Sequence, residues 1–389
     1  MKIPPPIVKA RAWRVSVPLL EEWVCSPEFG THPVSDRLVL QVVDGEGFEG
    51  WGEGPWNAGA DVVKTALDRL CERGSGLRTS FLDGLRDPAS SYWSQPVPPA
   101  PHAARVENLR HRLRHPMQVA AETALLDLAG KRAGLPLSAF FGGAWRDRVE
   151  VDYWMGRGTP ELAARCAKRA VELGFCGLKM KTTLEDPNVE KLEAIRDVAG
   201  SGFGVTVDPN GRFYRLDDAI ATIRAMDSVG NLRILEDPFP RTALSETKAL
   251  RERISARVVI HIDPPEMLAE VLRSEVCGGL NIDSHTQGLF AWRMQAAAAD
   301  AFNLPVWHGS GNDLGIFTAA QLHLAASAPN CQLPGDQAGP WTRQATLVEE
   351  VFVVEKGFVR VPQGAGLGVT VDRAALEKFG VPVAEACAS

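Results

Sequence analysis

The stretch that decides the fold reads GLKMK (177–181), VTVDPNG (205–211), RILEDPF (233–239) and VVIHIDPP (258–265), with helical sequence between the runs. Each run is short and aliphatic or β-branched, reaches a charged residue, and passes at once into turn residues, the pattern of a buried strand that stops at a loop. Lys181, Asp208, Glu236 and Asp263 follow one another at steps of 27, 28 and 27 residues. One strand, one helix and two loops consume about that many residues, so the charges belong to successive βα units of a parallel sheet. Charges at the carboxyl ends of such strands point into one shared site.

The same beat runs outward in both directions. VEVDYWM (149–155) is a strand ending near Trp154, and GGLNIDSH, LPVWHGSG and NCQLPGD carry the series to Asp283, His308 and Asp336. Amphipathic runs of helical period lie between the strands, among them TPELAARCAKRAVELG, LDDAIATIRAMDSVG and GLFAWRMQAAAADAF. Eight alternations close into a TIM (β/α)8 barrel more readily than into an open sheet.

Composition places limits on function. With 389 residues, 45% hydrophobic and 23% charged, the chain has room for a barrel and a second domain. A net charge of −6 without a basic cluster argues against nucleic acid or an anionic membrane as partner. The seven cysteines have neither CxxC nor Cys/His ligand spacing and read as reduced residues of a cytoplasmic protein. The opening MKIPPPIVKARAWR lacks the apolar core of a signal peptide, and no apolar run is long enough to span a membrane.

The flanks read differently from the barrel. KARAWRVSVPL and DRLVLQVVDGEGFEGWGEGPW are strands, the second folded at DGEG into a hairpin. The loop between them carries Trp23 and Phe29, which reach substrate if this segment caps the barrel mouth. Helical runs then alternate with a Pro-rich loop, PVPPAPH, before MQVAAETALLDLAGKRAGLPL leads into the barrel. After Asp336 the chain reads as a hairpin with a terminal helix. The expected division is an α+β domain over 1–125, the barrel over 126–345, and a C-terminal segment over 346–389 that returns to the first domain.

Asp208, Glu236 and Asp263 offer hard oxygen ligands without sulfur or imidazole, a set suited to Mg²⁺. Lys179 and Lys181 are two apart on one strand and therefore share a face. Two neighbouring ammonium groups near a divalent cation disfavour each other's charge, which is expected to lower one pKa and make that amine a general base. A base beside a metal that grips a carboxylate is equipped to remove the α-proton of that carboxylate. Trp154 and Trp307 are candidates to line the pocket, Asp336 to bind substrate, and His285 to stand in as an acid. His261 is expected to support the site from behind, and His323, inside a helix, to pack.

GLKMK, VDPNG, LEDP and the strand-five acid resemble the enolase superfamily, in the branch of mandelate racemase and muconate lactonizing enzyme. WGEG (51–54), HGSGNDLGI (308–316) and GLGVTVD (366–372) add to the likeness, which covers essentially the whole chain. The resemblance implies an α+β capping domain built from both termini, a modified barrel, Mg²⁺ on Asp208, Glu236 and Asp263, Lys181 as the base, and Lys179 beside it touching the substrate carboxylate. It also implies assembly as a homo-oligomer, a dimer or octamer. Members that lactonize or epimerize dipeptides carry a lysine at the end of strand six, and NIDSHTQG has none. Racemases and acid-sugar dehydratases use a strand-seven histidine backed by a strand-six aspartate, which makes His308 and Asp283 the candidates. A one-residue slip at each position leaves the pair dependent on a bulge. The preferred reading is dehydration of an acid sugar. A racemase, a cycloisomerase and a non-catalytic metal-dependent binding barrel are its rivals.

Overall fold

The computed structural model describes residues 5–20, 33–73, 117–263, 265–285, 287–336 and 339–388. Trp23, Phe29, the Pro-rich loop and the helical run that follows it lie outside the described residues. The chain opens with β1 (Ile7–Pro18), β2 (Val34–Asp44), β3 (Glu49–Pro55), α1 (Ala60–Arg73) and α2 (Gln118–Ala133). The three strands form an antiparallel sheet whose β2–β3 hairpin turns at 45–48, as the DGEG signal predicts. In β3 the alternation of EGWGEGP puts Gly50, Gly52 and Gly54 on one face, where α2 lies so close that a methyl group at Gly50 or Gly52 would collide with its carbonyls. Trp51 and Glu53 fall on the other face.

The run 149–155 is two elements. Within it, β4 (Arg148–Glu150) leaves the barrel sheet, and β5 (Tyr153–Met155) is the first barrel strand. The barrel continues as α3 (Pro160–Glu172), β6 (Gly177–Lys181), α4 (Asn188–Ala199), β7 (Gly204–Asp208), α5 (Leu216–Ser228), β8 (Leu232–Glu236) and α6 (Leu244–Arg251). Then come β9 (Arg257–His261), α7 (Leu268–Ser274), β10 (Gly279–Ile282), α8 (Leu289–Asp300), β11 (Val306–His308) and α9 (Ile316–Ser327). Strands β5 to β11 make one parallel seven-stranded sheet in sequence order. The eighth place is taken by segment 331–335, which bridges Cys331 to Val306 and Gly335 to Val151 and so closes the ring.

Strand parity sorts the side chains. Leu178, Met180, Val205, Val207, Leu280 and Ile282 face the helices in the main core, whereas Ile234, Val259 and Trp307 pack together inside the barrel. At the amino-terminal end Arg233 meets Asp152 at 2.5 Å, between Gly177 and Gly204, and plugs the floor.

The tail comprises α10 (Gly339–Thr342), the hairpin β12 (Val354–Glu355) and β13 (Phe358–Arg360), α11 (Arg373–Phe379) and β14 (Gly380–Cys387). The hairpin pairs with β4, while β14 pairs with β1 and becomes the edge of the cap sheet. Three buried acids tie the cap to the barrel and to the tail by accepting from backbone N–H groups. Glu53 receives Leu314 and Phe317 at the start of α9, Glu122 receives Leu289 at the start of α8, and Asp127 receives Leu367. Cys71, Cys166, Cys176, Cys277, Cys331 and Cys387 carry free thiols. Among the described residues no helix is long and apolar enough to cross a membrane.

Candidate active site

Alternation along β6 turns Leu178 and Met180 to the helices and Lys179 and Lys181 into the barrel. The pairing of Lys181 with Asp208, and of Lys179 with Thr206 and Trp154, sets two layers, Lys181 being nearer the mouth. The Lys181 Nζ donates to Asp208 Oδ2 at 2.5 Å and to Asn210 Oδ1 at 2.9 Å. Lys179 Nζ sits deeper, 2.5 Å from Glu236 Oε2, 3.0 Å from Asp336 Oδ2 and 3.2 Å from Asp208 Oδ2, with the Trp307 ring 5.6 Å away. Burial works to lower the Lys179 pKa, but the three carboxylates more than offset it and hold the ammonium well above its ordinary value. The lowering expected of one of the two lysines is therefore not found at Lys179, because three carboxylates surround it.

The carboxylates divide into a pair and an outlier. Asp208 would be raised by burial, yet Lys181 and Lys179 bring it well below the usual range. Glu236 is pushed up by burial and by the neighbouring Asp208 charge, and its Oε1 accepts from Asn281 at 2.6 Å. Asp263 belongs to a different cluster. Arg241 Nη1 donates to its carbonyl at 2.8 Å and lies 3.6 Å from its carboxylate, while Arg241 Nε binds Asp237 at 2.7 Å. Among the described residues no three such side chains converge as a metal-holding group. The cause is electrostatic, since Lys179 neutralises Asp208 and Glu236 from between them and Arg241 engages Asp263. The donors still fit a hard cation. Asp208 and Glu236 reach one common point, and the buried Glu236 Oε2 and Asp336 Oδ1 lack an aligned hydrogen-bond donor.

On the opposite wall the expected dyad is absent. β10 and β11 pair Asn281 with Trp307 and Ile282 with His308, with no register shift between them, so His308 shares the outward face of Ile282. Its ring stacks on Trp292 at 5.2 Å, meets Phe317 edge-on, and binds Ser284 Oγ at 2.7 Å, fully buried between sheet and helices. Burial lowers its pKa to about 4 and keeps it neutral. His308 is thus a core histidine, the outcome a one-residue slip produces when no bulge restores the phase.

Asp283 does face the site, with other partners. Its Oδ2 lies 2.8 Å from His261 Nε2, and its Oδ1 lies 3.1 Å from His285 Nδ1 without the alignment of a hydrogen bond. Burial opposes ionisation of Asp283, but His285 and His261 overcome it and bring the carboxyl far below its usual range. Asp237, held at a φ of 41°, accepts from the His261 backbone N–H and from Arg241, so the LEDP turn fixes both groups. His261 as the direct partner of Asp283 is a residue the sequence reading undervalued, although its spacing from Asp263 had placed it inside the barrel. Arg241, Asn210 and Asn281 were missed, since nothing in a single strand reveals what crosses between strands. Trp307 and Trp154 are closed over, so Trp307 supports Lys179 from within the barrel. His323 packs in α9, with Nε2 3.1 Å from Leu367 O.

Residues 161–375 match the family described as enolase C-terminal domain-like. The chain belongs to the enolase superfamily, in its mandelate racemase and muconate lactonizing branch. It is 28% identical over 366 residues to an o-succinylbenzoate synthase of Geobacillus kaustophilus, covering 90% of each chain. It is 24% identical over 376 residues to the L-Ala-D/L-Glu epimerase of Bacillus subtilis, covering 93% of this chain and 96% of that one. Its fold matches that of a dipeptide epimerase from Cytophaga hutchinsonii, solved with Mg and the dipeptide D-Ala-L-Val, with a TM-score of 0.79 at 20% identity over 97% of this chain and 100% of that one. Isomerases, epimerases and lyases all occur among the relatives, which do not favour the lyase reading over the isomerase one.

Proposed function

We propose that the chain removes the proton on the carbon α to the carboxylate of a small 2,3-dihydroxy acid, with Lys181 as the base. The 3-hydroxyl then leaves as water, its proton supplied from the opposite wall by the His261–Asp283 pair, and the resulting enol becomes a 2-keto acid. The observation that carries this reading is the placing of the two groups. Lys181 ends β6 and Asp283 follows β10, four strands apart around a ring of eight, so a substrate between them has a proton carrier on each face. Lys179, held by Asp208, Glu236 and Asp336, keeps a fixed positive charge beneath the substrate carboxylate. Asp208 and Glu236, joined by Asp263, would hold Mg²⁺, which when bound supplies positive charge where the carboxylate gathers electrons.

Racemization is the second reading, because opposed proton carriers also serve to return a proton from the other face, and the epimerase similarity supports it. Incubation of a panel of sugar acids and 2-hydroxy acids with Mg²⁺ in D₂O separates the two. Dehydration gives keto acid, whereas racemization gives α-deuterated acid of inverted configuration. Absence of both keto acid and α-exchange throughout the panel sinks both readings and leaves a binding barrel, and turnover that survives Lys181→Ala removes Lys181 as the base.

A further inference from the structure

The loop 309–315, which follows β11, is tied to the cap on one side and rests on the histidine wall on the other. Arg37 of β2 is the tie. Its Nε donates to Glu53 Oε1 at 3.0 Å, its Nη2 to Asp313 Oδ1 at 2.8 Å and its Nη1 to Gly311 O at 2.9 Å. Glu53 and Asp313 are buried with it, and Glu53 also accepts from Leu314 N at 2.7 Å and Phe317 N at 2.9 Å. Gln321 Nε2 holds the second Asp313 oxygen at 2.9 Å.

Three fully buried charges are an inefficient source of stability, since desolvation consumes most of the Coulombic gain. They do fix a backbone in one place. What that backbone touches is His285. A methyl group built on Gly311 would lie 2.9 Å from the His285 Cγ and 3.2 Å from its Nδ1, and the three nearest atoms all belong to that ring. The Gly311 φ lies outside the left-handed region, so the glycine is needed there for closeness. Behind the ring stand Asp283 Oδ1 at 3.1 Å and then His261.

We infer that Arg37, Glu53 and Asp313 are positioning residues. They clamp the loop 309–315 so that Gly311 holds the His285 ring against Asp283, which sets the His261–Asp283 pair opposite Lys181. The inference rests on the reading of that pair as the second proton carrier. It gives the cap a part in the chemistry that runs through the barrel's own loop.

The test uses the full chain with Gly311→Ala, which leaves the ion network's side chains in place, and Arg37→Lys, which keeps the charge but replaces the planar three-nitrogen fork with a single nitrogen. Histidine ring signals are followed by NMR, with His285→Gln assigning the His285 resonances. Both variants are expected to move the His285 signals and leave those of His323 in place. On a substrate from the panel, net turnover falls by about 10- to 100-fold, the cost of misplacing a group by roughly an ångström. Lys181-dependent α-proton exchange and KM stay within about twofold, because the β6 wall is untouched. Unmoved His285 signals, or turnover and exchange falling together as in a general loss of fold, overturn the inference. If the wild-type chain neither exchanges an α-proton nor forms product, the chemical reading fails separately, and the ring signals still decide whether the cap positions His285.

Discussion

Two barrel strands each place basic or aromatic side chains near the carboxyl end, and the structure uses them in opposite senses. On β6 the order Leu178, Lys179, Met180, Lys181 sends both lysines into the barrel. On β11 the order Val306, Trp307, His308 sends only Trp307 inward and drives His308 into the layer beneath α8 and α9. Chemical suitability is the same in both places. Parity is what separates a candidate base from a core residue, because a shift of one position reverses the face. The wall opposite Lys181 is furnished instead from β9 and the end of β10, by His261 and Asp283.

The strongest way to break this contrast is at Lys181. Lys181→Ala is expected to lower turnover by about 10²–10⁴-fold while the protein stays folded, the usual contribution of a positioned general base. Loss of less than tenfold would leave β6 no more catalytic than β11. A smaller effect is expected one strand-layer away. Asn281 donates to Glu236 Oε1 at 2.6 Å, so it orients a proposed Mg²⁺ ligand without being one. Asn281→Ala should weaken Mg²⁺ binding by about 10- to 100-fold, read by calorimetric titration without substrate. Unchanged affinity would show that the Asn281 bond does not orient Glu236 for the metal.

The barrel was legible because its signal is local and repeated. A short aliphatic run, a charge and a turn recur at a near-constant step, and the helices between them carry their own period. The lysine pair and the inward acids were legible for the same reason. What failed depended on neighbours. The register of β10 against β11 decides where His308 points, and neither strand states it alone. Arg241 reaches Asp263 across two loops, a contact with no spacing to betray it. The terminal strand β14 went unread because GVPVAEAC contains Pro382 and lies largely exposed. Both features suit an edge strand, yet in sequence they look like the frayed end of a helix. Glu53 stood in plain sight within WGEG, but its partners at α9 are more than 250 residues away.

Below the catalytic effects comes the test of His308 itself. His308→Phe keeps the stacking on Trp292 and removes the ring nitrogen that meets Ser284 Oγ. The expected cost is about 1–3 kcal/mol of stability in urea unfolding, with turnover of the folded protein within roughly twofold. A hundredfold loss of turnover with unchanged stability would return His308 to the site and undo the parity argument.

The smallest effect concerns pH. His308 and His323 are both held neutral by burial, with pKa values lowered to about 4 from an ordinary value of 6.5. Between those values the unfolded chain binds more protons than the folded one, so stability is fully present above about pH 6.5 and is lost as pH falls toward 4. Each ring contributes a slope of about 1 kcal/mol per pH unit through that window. His323 is the cleaner probe, since among the described residues its ring is bonded to the Leu367 carbonyl, a bond that a glutamine amide can also make. His323→Gln should therefore leave stability near neutrality almost unchanged and flatten its decline between pH 6.5 and 4.5, as read from urea midpoints across that range. A decline as steep as in the parent chain would mean that the buried ring takes up its proton without unfolding, and the same doubt would then extend to the neutral His308 on which the contrast between the two strands depends.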